Sequence, residues 1–457
     1  MREALQRLPL ASITPVAFAS TVVAVSFGSS SVPDLHRLGR DLRWVALAVL
    51  LVVSTALALR SPLRGLPGRA LSAFACAFVL LALVSAAWSP YAHTTIGRWG
   101  TLAAAFGTAG ALAVAVRHEP ALGRRLLWAI AGAAGLIAAA GVLLAVVAPR
   151  YAIQNADITT PARLRGLGEN PNTVSLLLGV ASPAAGWLAL TPGRRRCRLL
   201  AAAILVLLAG SIIASESRGA LVASVAGLAV VAVVALRGIR LPAVLLIAVV
   251  GYVGLAFAFH RANWHYGIAK QTATPHATQT VSQFSFLDPA PTSPVDPNEL
   301  GRPAPGTSQA SVPRSYFGSG GRALAWQGAL DQALQRPLLG YGFGTENRVF
   351  VDRVYFFEGS VPESTLIGTT LQLGLVGLAL LVSMFAAAAL RIAPLLRRSQ
   401  MGCQPIGAFA GIIAGGIALT VVQSYATSVG NVGMLTFWTA IFVGGALAAS
   451  ARERPDG

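Results

Sequence analysis

Apolar runs long enough to cross a bilayer, about 20 residues each, alternate with short polar breaks along nearly the whole chain. The pattern predicts spanning helices at 9–28, 43–59, 69–88, 98–116, 125–148, 172–191, 199–215, 219–236, 241–259, 365–390, 405–424 and 431–451. In hydrocarbon every backbone N–H and C=O must be paired within its own segment, so helices are the form such runs take. The expected fold class is therefore all-α, a polytopic membrane protein with about twelve transmembrane helices.

One polar interruption is long. It divides the chain into N-terminal spans (1–259), an extracytoplasmic loop (260–362) and C-terminal spans (363–457). Residues 271–321 are rich in Pro, Thr, Ser and Gly with few large apolar side chains, a composition that predicts mobility. Residues 322–362 read as packed. Leu324, Trp326, Ala329 and Leu330 recur at helical spacing, which predicts a short amphipathic helix along the membrane surface. The run Arg336-Pro337-Leu338-Leu339-Gly340-Tyr341-Gly342 then ends it with a proline and closely spaced glycines.

Composition removes the soluble alternatives. Of 457 residues 55% are hydrophobic and 11% charged, against about 25% charged in soluble domains. The net charge of +18 does not read as a nucleic-acid surface, because the basic residues, nearly all arginine, sit in small clusters between apolar runs. Clusters such as Arg60/Arg64/Arg69, Arg194/Arg195/Arg196/Arg198 and Arg391/Arg397/Arg398 fall in alternate short loops. The positive-inside rule then puts both termini in the cytoplasm and the 166–363 region outside. Arg2 and Arg7 precede the first apolar run without a small-residue cleavage site, so that run is expected to stay as a helix. Cys76, Cys197 and Cys403 show no disulfide or zinc spacing, and the six histidines form no HxxxH or HExxH pattern; no metal or cofactor is expected.

Chemistry concentrates where charge meets the ends of spans. Ser217-Arg218-Gly219-Ala220 joins the seventh and eighth spans with almost no loop. The Arg218 fork there suits two phosphate oxygens, although most such arginines snorkel to lipid headgroups, and Glu216 beside it also allows a local ion pair. Arg163-Leu164-Arg165-Gly166-Leu167-Gly168-Glu169-Asn170-Pro171-Asn172 leads into the sixth span. Its glycines and free helix start suit an anion, or make a plain loop with a helix beginning at Asn172. Glu363 opens the tenth span, as a helix-capping carboxylate or as a base for an acceptor hydroxyl, with Arg322 as a further cation.

In order and spacing these pieces resemble the O-antigen ligase and polymerase family of bacterial envelope glycosyltransferases. The matching residues are Ala86-Ala87-Trp88-Ser89-Pro90, the run from Arg165-Gly166 to Asn172, Ser217-Arg218-Gly219-Ala220, Arg322 with Trp326, Pro337-Leu338-Leu339-Gly340-Tyr341-Gly342, and the pair Gly374 and Gly377. The resemblance implies metal-independent transfer of a glycan from a polyprenyl-pyrophosphate donor to a glycan, lipid or protein acceptor on the outer face. Arg218 and Glu363 would be catalytic, with Arg163, Arg165, Asn172, Glu216 and Arg322 binding substrate. Ligases of the family commonly read His-Asn where this chain has Glu363-Ser364. The alternative class is a transporter or flippase of envelope precursors. Against it, the sequence offers no clear inverted repeat, no broken helix pair and no carboxylate deep in a span.

Overall fold

The computed structural model describes residues 9–60, 68–155, 162–235, 322–350, 361–396 and 405–453. Within them the protein is all-α apart from a two-residue antiparallel pairing of β1 (Ile153–Gln154) with β2 (Arg163–Leu164). Eight long helices run from α1 to α8: Leu10–Phe27, Pro33–Leu59, Arg69–Val84, Ala92–His118, Pro120–Val147, Pro171–Leu190, Arg195–Ser215 and Arg218–Ala235. After the gap come the loop helix α9 (Arg322–Ala333), then α10 (Thr365–Leu396), α11 (Ile406–Val422) and α12 (Met434–Glu453). Ten are long and apolar enough to cross a membrane, and α11, at 17 residues, is shorter. The expected span at 241–259 and the expected mobile stretch at 271–321 lie outside the described residues.

The largest shift of a boundary is in α2. It starts at Pro33, ten positions before the apolar run, because Pro33 in the first turn and Asp34 near the positive helix end suit a helix start. Apolarity marks only the part of a helix that lipid surrounds.

Backbones approach closely at the centre, where α6 and α12 are almost wholly enclosed. A methyl added at Gly179 would stand 2.3 Å from the Ala220 carbonyl oxygen, one at Gly227 2.6 Å from that of Gly411, and one at Gly415 2.4 Å from that of Ala223. Without a hydrophobic drive between helices in lipid, such contact is what holds them. It fixes the register of α8 against α6 and α11, and so sets the end of α11 beside the start of α8.

α10 is broken. Gly374 has φ 64° and ψ −164°, which frees the Leu371 and Gln372 carbonyls and the Leu375 and Val376 amides. The run predicted as a turn lies in that break as a strap. Tyr341 and Gly342 donate to Leu371 O (3.0 Å) and Gln372 O (2.8 Å), while Leu375 and Val376 donate to Pro337 O (2.7 Å) and Leu338 O (3.3 Å). Ala86-Ala87-Trp88-Ser89 holds the strap from behind: Trp88 Nε1 donates to Leu339 O (3.2 Å), and the Ser85 hydroxyl accepts from Phe343 N (2.9 Å). The sequence offered no broken helix pair; the structure breaks one helix and fills the break with its own chain.

Helix α9 forms as expected but packs by its small face. Ala325, Ala329 and Ala333 are buried with Leu371, Val349 and Phe350, whereas Leu330 and Leu334 are exposed. Small side chains let α9 lie close on α10, leaving the leucines facing outward.

Candidate functional site

Loops at one end of the bundle interlock. Ser31 N donates to Leu167 O and Glu169 N to Ser29 O, so the 162–170 run is sewn to the α1–α2 turn. Asn170 caps α6, its side chain accepting from the amides of Asn172 and Thr173 (2.9 and 3.1 Å), and the helix begins at Pro171 and not at Asn172. The room left by Gly166 is filled by Gly141 of α5, since a methyl on Gly141 would meet Gly166 Cα at 3.0 Å.

Arg163 and Arg165 part company here. Arg163 is 5% exposed; its Nε donates to Ser215 O (2.8 Å) and its Nη2 to Asn172 Oδ1 (3.4 Å). It thus ties the start of α6 to the end of α7, one residue before Glu216. Arg165 donates instead to the carbonyls of Tyr151 (2.8 Å) and Arg150 (2.6 Å), where it braces the α5–α6 connection.

Glu216 and Glu363 are the two non-glycine residues with positive φ among the described residues, at 51° and 43°. Such backbone costs on the order of 1–3 kcal/mol and gathers at functional sites. At Glu216 it lets α8 start at Arg218 after only two residues. At Glu363 it frees the side chain from the helix end. Ser364 takes the capping role, its hydroxyl accepting from Ile367 N (3.4 Å). Glu363 meets Arg322 instead, Oε2 receiving both Nε (2.8 Å) and Nη2 (2.5 Å), with the two side chains 23% and 15% exposed. Neither bond occupies Oε1.

Gln423 joins the halves. Its carbonyl accepts from Thr365 N (3.0 Å) and the Thr365 hydroxyl (2.8 Å), and its Cγ would be 3.3 Å from a methyl on Gly219. Arg218-Gly219 and Glu363-Ser364-Thr365 therefore meet at one residue. The structure thus gathers Arg163, Asn172, Glu216 and Arg218 at the starts of α6 and α8, and Arg322 with Glu363 at the start of α10. Arg165 stands apart.

Sequence reasoning missed Glu346. It is 3% exposed, accepts from the Ser428 hydroxyl (2.5 Å) and lies against Gly368, where an added methyl would stand 2.4 Å from its Oε2. Burial pushes its carboxyl above the usual carboxylate range, while the Ser428 hydrogen bond, the Arg98 charge and Gln372 pull the other way. Arg98 also donates to the Gly344 carbonyl, so the strap, α4, α10 and the α11–α12 loop meet at this carboxyl. Its signal was faint: a polar residue just past the run Gly340, Gly342, Gly344. Among the described residues no three His, Cys, Asp or Glu side chains cluster as metal ligands would.

Residues 202–382 match the sequence profile described as O-antigen ligase. The match takes in Glu216, Arg218, Arg322, Glu363 and the broken part of α10, and leaves Arg163, Asn172 and Gln423 outside it. A comparison with curated proteins gives no match.

Proposed function

We propose that the chain, whose residues 202–382 match the profile described as O-antigen ligase and include Arg218, Arg322 and Glu363, moves a glycan from a polyprenyl-pyrophosphate donor to an acceptor hydroxyl. Its class is that of a multi-pass membrane glycosyltransferase of the O-antigen ligase and polymerase type. The observation that supports the finer reading is that Gln423 touches both Gly219, next to Arg218 at the start of α8, and Thr365, two residues past the Arg322-paired Glu363.

The proposed reaction is one displacement at the anomeric carbon. Glu363 takes the acceptor proton on Oε1, the acceptor oxygen bonds to the anomeric carbon, and the bond from that carbon to the pyrophosphate oxygen breaks with inversion. Arg218, at the start of α8, offsets the charge gathering on the leaving pyrophosphate, helped by the helix N-terminus. Arg322 orients the carboxylate by holding its other oxygen. Arg163 braces the turn that presents Arg218, and Asn172 holds Arg163. The chemistry asks for no metal, since guanidinium groups supply the positive charge. An apolar groove of about 400 Å³ between α1, α2 and α5, lined by Phe27, Leu42, Trp128 and Leu136, suits a prenyl tail. By the positive-inside distribution of arginines the site faces outward from a bacterial inner membrane with both termini in the cytoplasm.

The test is transfer by purified protein in detergent, from a polyprenyl-pyrophosphate oligosaccharide without added metal, beside Arg218→Ala. A product ladder lost in the variant means polymerisation, and a single shifted band with a supplied acceptor means ligation. Equal product from both proteins, or none from either, sinks the reading.

A further inference from the structure

Gln423 ends α11 in extended backbone, φ −149° and ψ 137°. The contacts Gly227 to Gly411 and Gly415 to Ala223 fix the height of α11 along α8. The two bonds from Thr365 to its carbonyl then fix it against the start of α10. A residue located from two directions has little freedom in where it sets its side chain.

One atom of that side chain is left without a partner. Gln423 is 4% exposed, and its Nε2 has no hydrogen-bond partner among the described residues. Ser217, 1% exposed and next to Arg218, has an equally unpartnered Oγ. A buried donor left without an acceptor weakens a fold, and native structures hold few of them. Others occur elsewhere, at Thr108 and Thr439 for example, but Ser217 adjoins Arg218 and Gln423 lies against Gly219, where a ligand at the start of α8 can supply the partner.

We propose that Gln423 is a substrate-binding residue whose amide donates a hydrogen bond to a sugar oxygen, hydroxyl or acetamido carbonyl, on the first residue of the glycan donor. The assignment rests on the transfer reading. In a displacement the sugar ring stands between leaving group and acceptor, and Gln423 touches Gly219, next to the Arg218 assigned to the first, and Thr365, two residues past the Glu363 assigned to the second. Its neutral amide suits a neutral sugar oxygen, while the guanidinium beside it suits the charged pyrophosphate. A buried donor that only the right oxygen satisfies also discriminates against sugars lacking that oxygen.

The experiment compares wild type, Arg218→Ala and Gln423→Met for thermal stability in detergent and for transfer from a polyprenyl-pyrophosphate oligosaccharide. Methionine keeps the length of the side chain and removes the donor. The expected result is stability equal to or above wild type, with kcat/KM for the donor down about tenfold and KM for the acceptor unchanged. Lower stability of Gln423→Met would mean that the amide is already satisfied within the empty protein, and a wild-type rate of transfer would mean that it touches no substrate; either overturns the proposal. An active wild type with an equally active Gln423→Met removes only the role of Gln423. A wild type inactive with this donor removes the transfer reading and this inference together.

Discussion

Replacing Gly374 by alanine should release the strap from α10. At φ 64° and ψ −164° an alanine costs about 1–3 kcal/mol in backbone strain, and its methyl would stand 2.2 Å from the carbonyl carbon and oxygen of Leu338. Two responses are open. The strap withdraws while the break stays strained, or α10 closes through the break. Closure forms two internal bonds, from Leu375 N to Leu371 O and from Val376 N to Gln372 O, in place of the four now shared with the strap. At about 0.5–1.5 kcal/mol for each net bond lost, closure costs about 1–3 kcal/mol, the same as strain. By the second route opening relieves the backbone strain, so local opening of the strap becomes about 5- to 150-fold more frequent; by the first the strain stays and the clash with Leu338 alone favours opening. Hydrogen exchange of peptides covering 337–344 should report it, with Trp88 fluorescence as a second probe because the Trp88 indole bonds to Leu339 O. The control is Gly210→Ala, where an added methyl meets nothing within 4 Å. Unchanged protection at Tyr341 and Gly342 in Gly374→Ala would refute the claim that the break holds the strap. Transfer should fall with the protection, because α9, which carries Arg322, packs on the same stretch of α10.

Other outcomes follow from single contacts. Glu363→Gln should cut transfer by about 10² or more at little cost in stability, since Ser364 caps α10; parental activity across pH would mean that the base lies elsewhere. Arg163→Lys should destabilise by about 1–3 kcal/mol in thermal or denaturant unfolding, because Ser215 O and Asn172 Oδ1 are met by two separate nitrogens of a rigid fork that a single ammonium does not reproduce; a stability equal to the parent's would show the tie to be slack. The Glu346 carboxyl is raised by burial from its ordinary value of 4.5, so the folded protein binds this proton more tightly than the unfolded chain does. Its contribution to stability is full below that value and is lost as pH rises through the folded-state pKa. Glu346→Gln should remove this part of the pH dependence, measured as unfolding temperature from pH 4 upward, and parallel curves for the two proteins would contradict it.

What the sequence made legible was what lipid enforces. Length and apolarity placed the described spans, because a helix in hydrocarbon needs little else. Ser217-Arg218-Gly219 and Glu363 stood out because charge beside an apolar helix is expensive. What escaped depended on partners far along the chain. Gly374 is a glycine in an apolar run until the strap arrives from residues 337–342, and Glu346 is an ordinary loop acid until Ser428 closes over it. Gln423 lay unremarked inside the span expected at 405–424. In α9 the spacing picked out Ala329 together with Leu324, Trp326 and Leu330, whereas the packed face is Ala325, Ala329 and Ala333, because helical spacing does not say which neighbour a face meets.

The Arg322–Glu363 pair bears on how such a site can be both held and reactive. Glu363 sits in left-handed backbone between Pro362 and a cap supplied by Ser364, so nothing in the helix end itself orients its carboxylate. Arg322 does so by placing two donors on one oxygen, and a fork that grips Oε2 turns Oε1 away from itself. The carboxylate is thereby left with one oxygen that Arg322 does not hold. A lysine at 322 would hold charge against charge but would lose the second donor that sets this orientation. Arg322→Lys should therefore leave donor affinity nearly intact while kcat falls, and a variant that loses affinity at unchanged kcat would place Arg322 on the pyrophosphate instead.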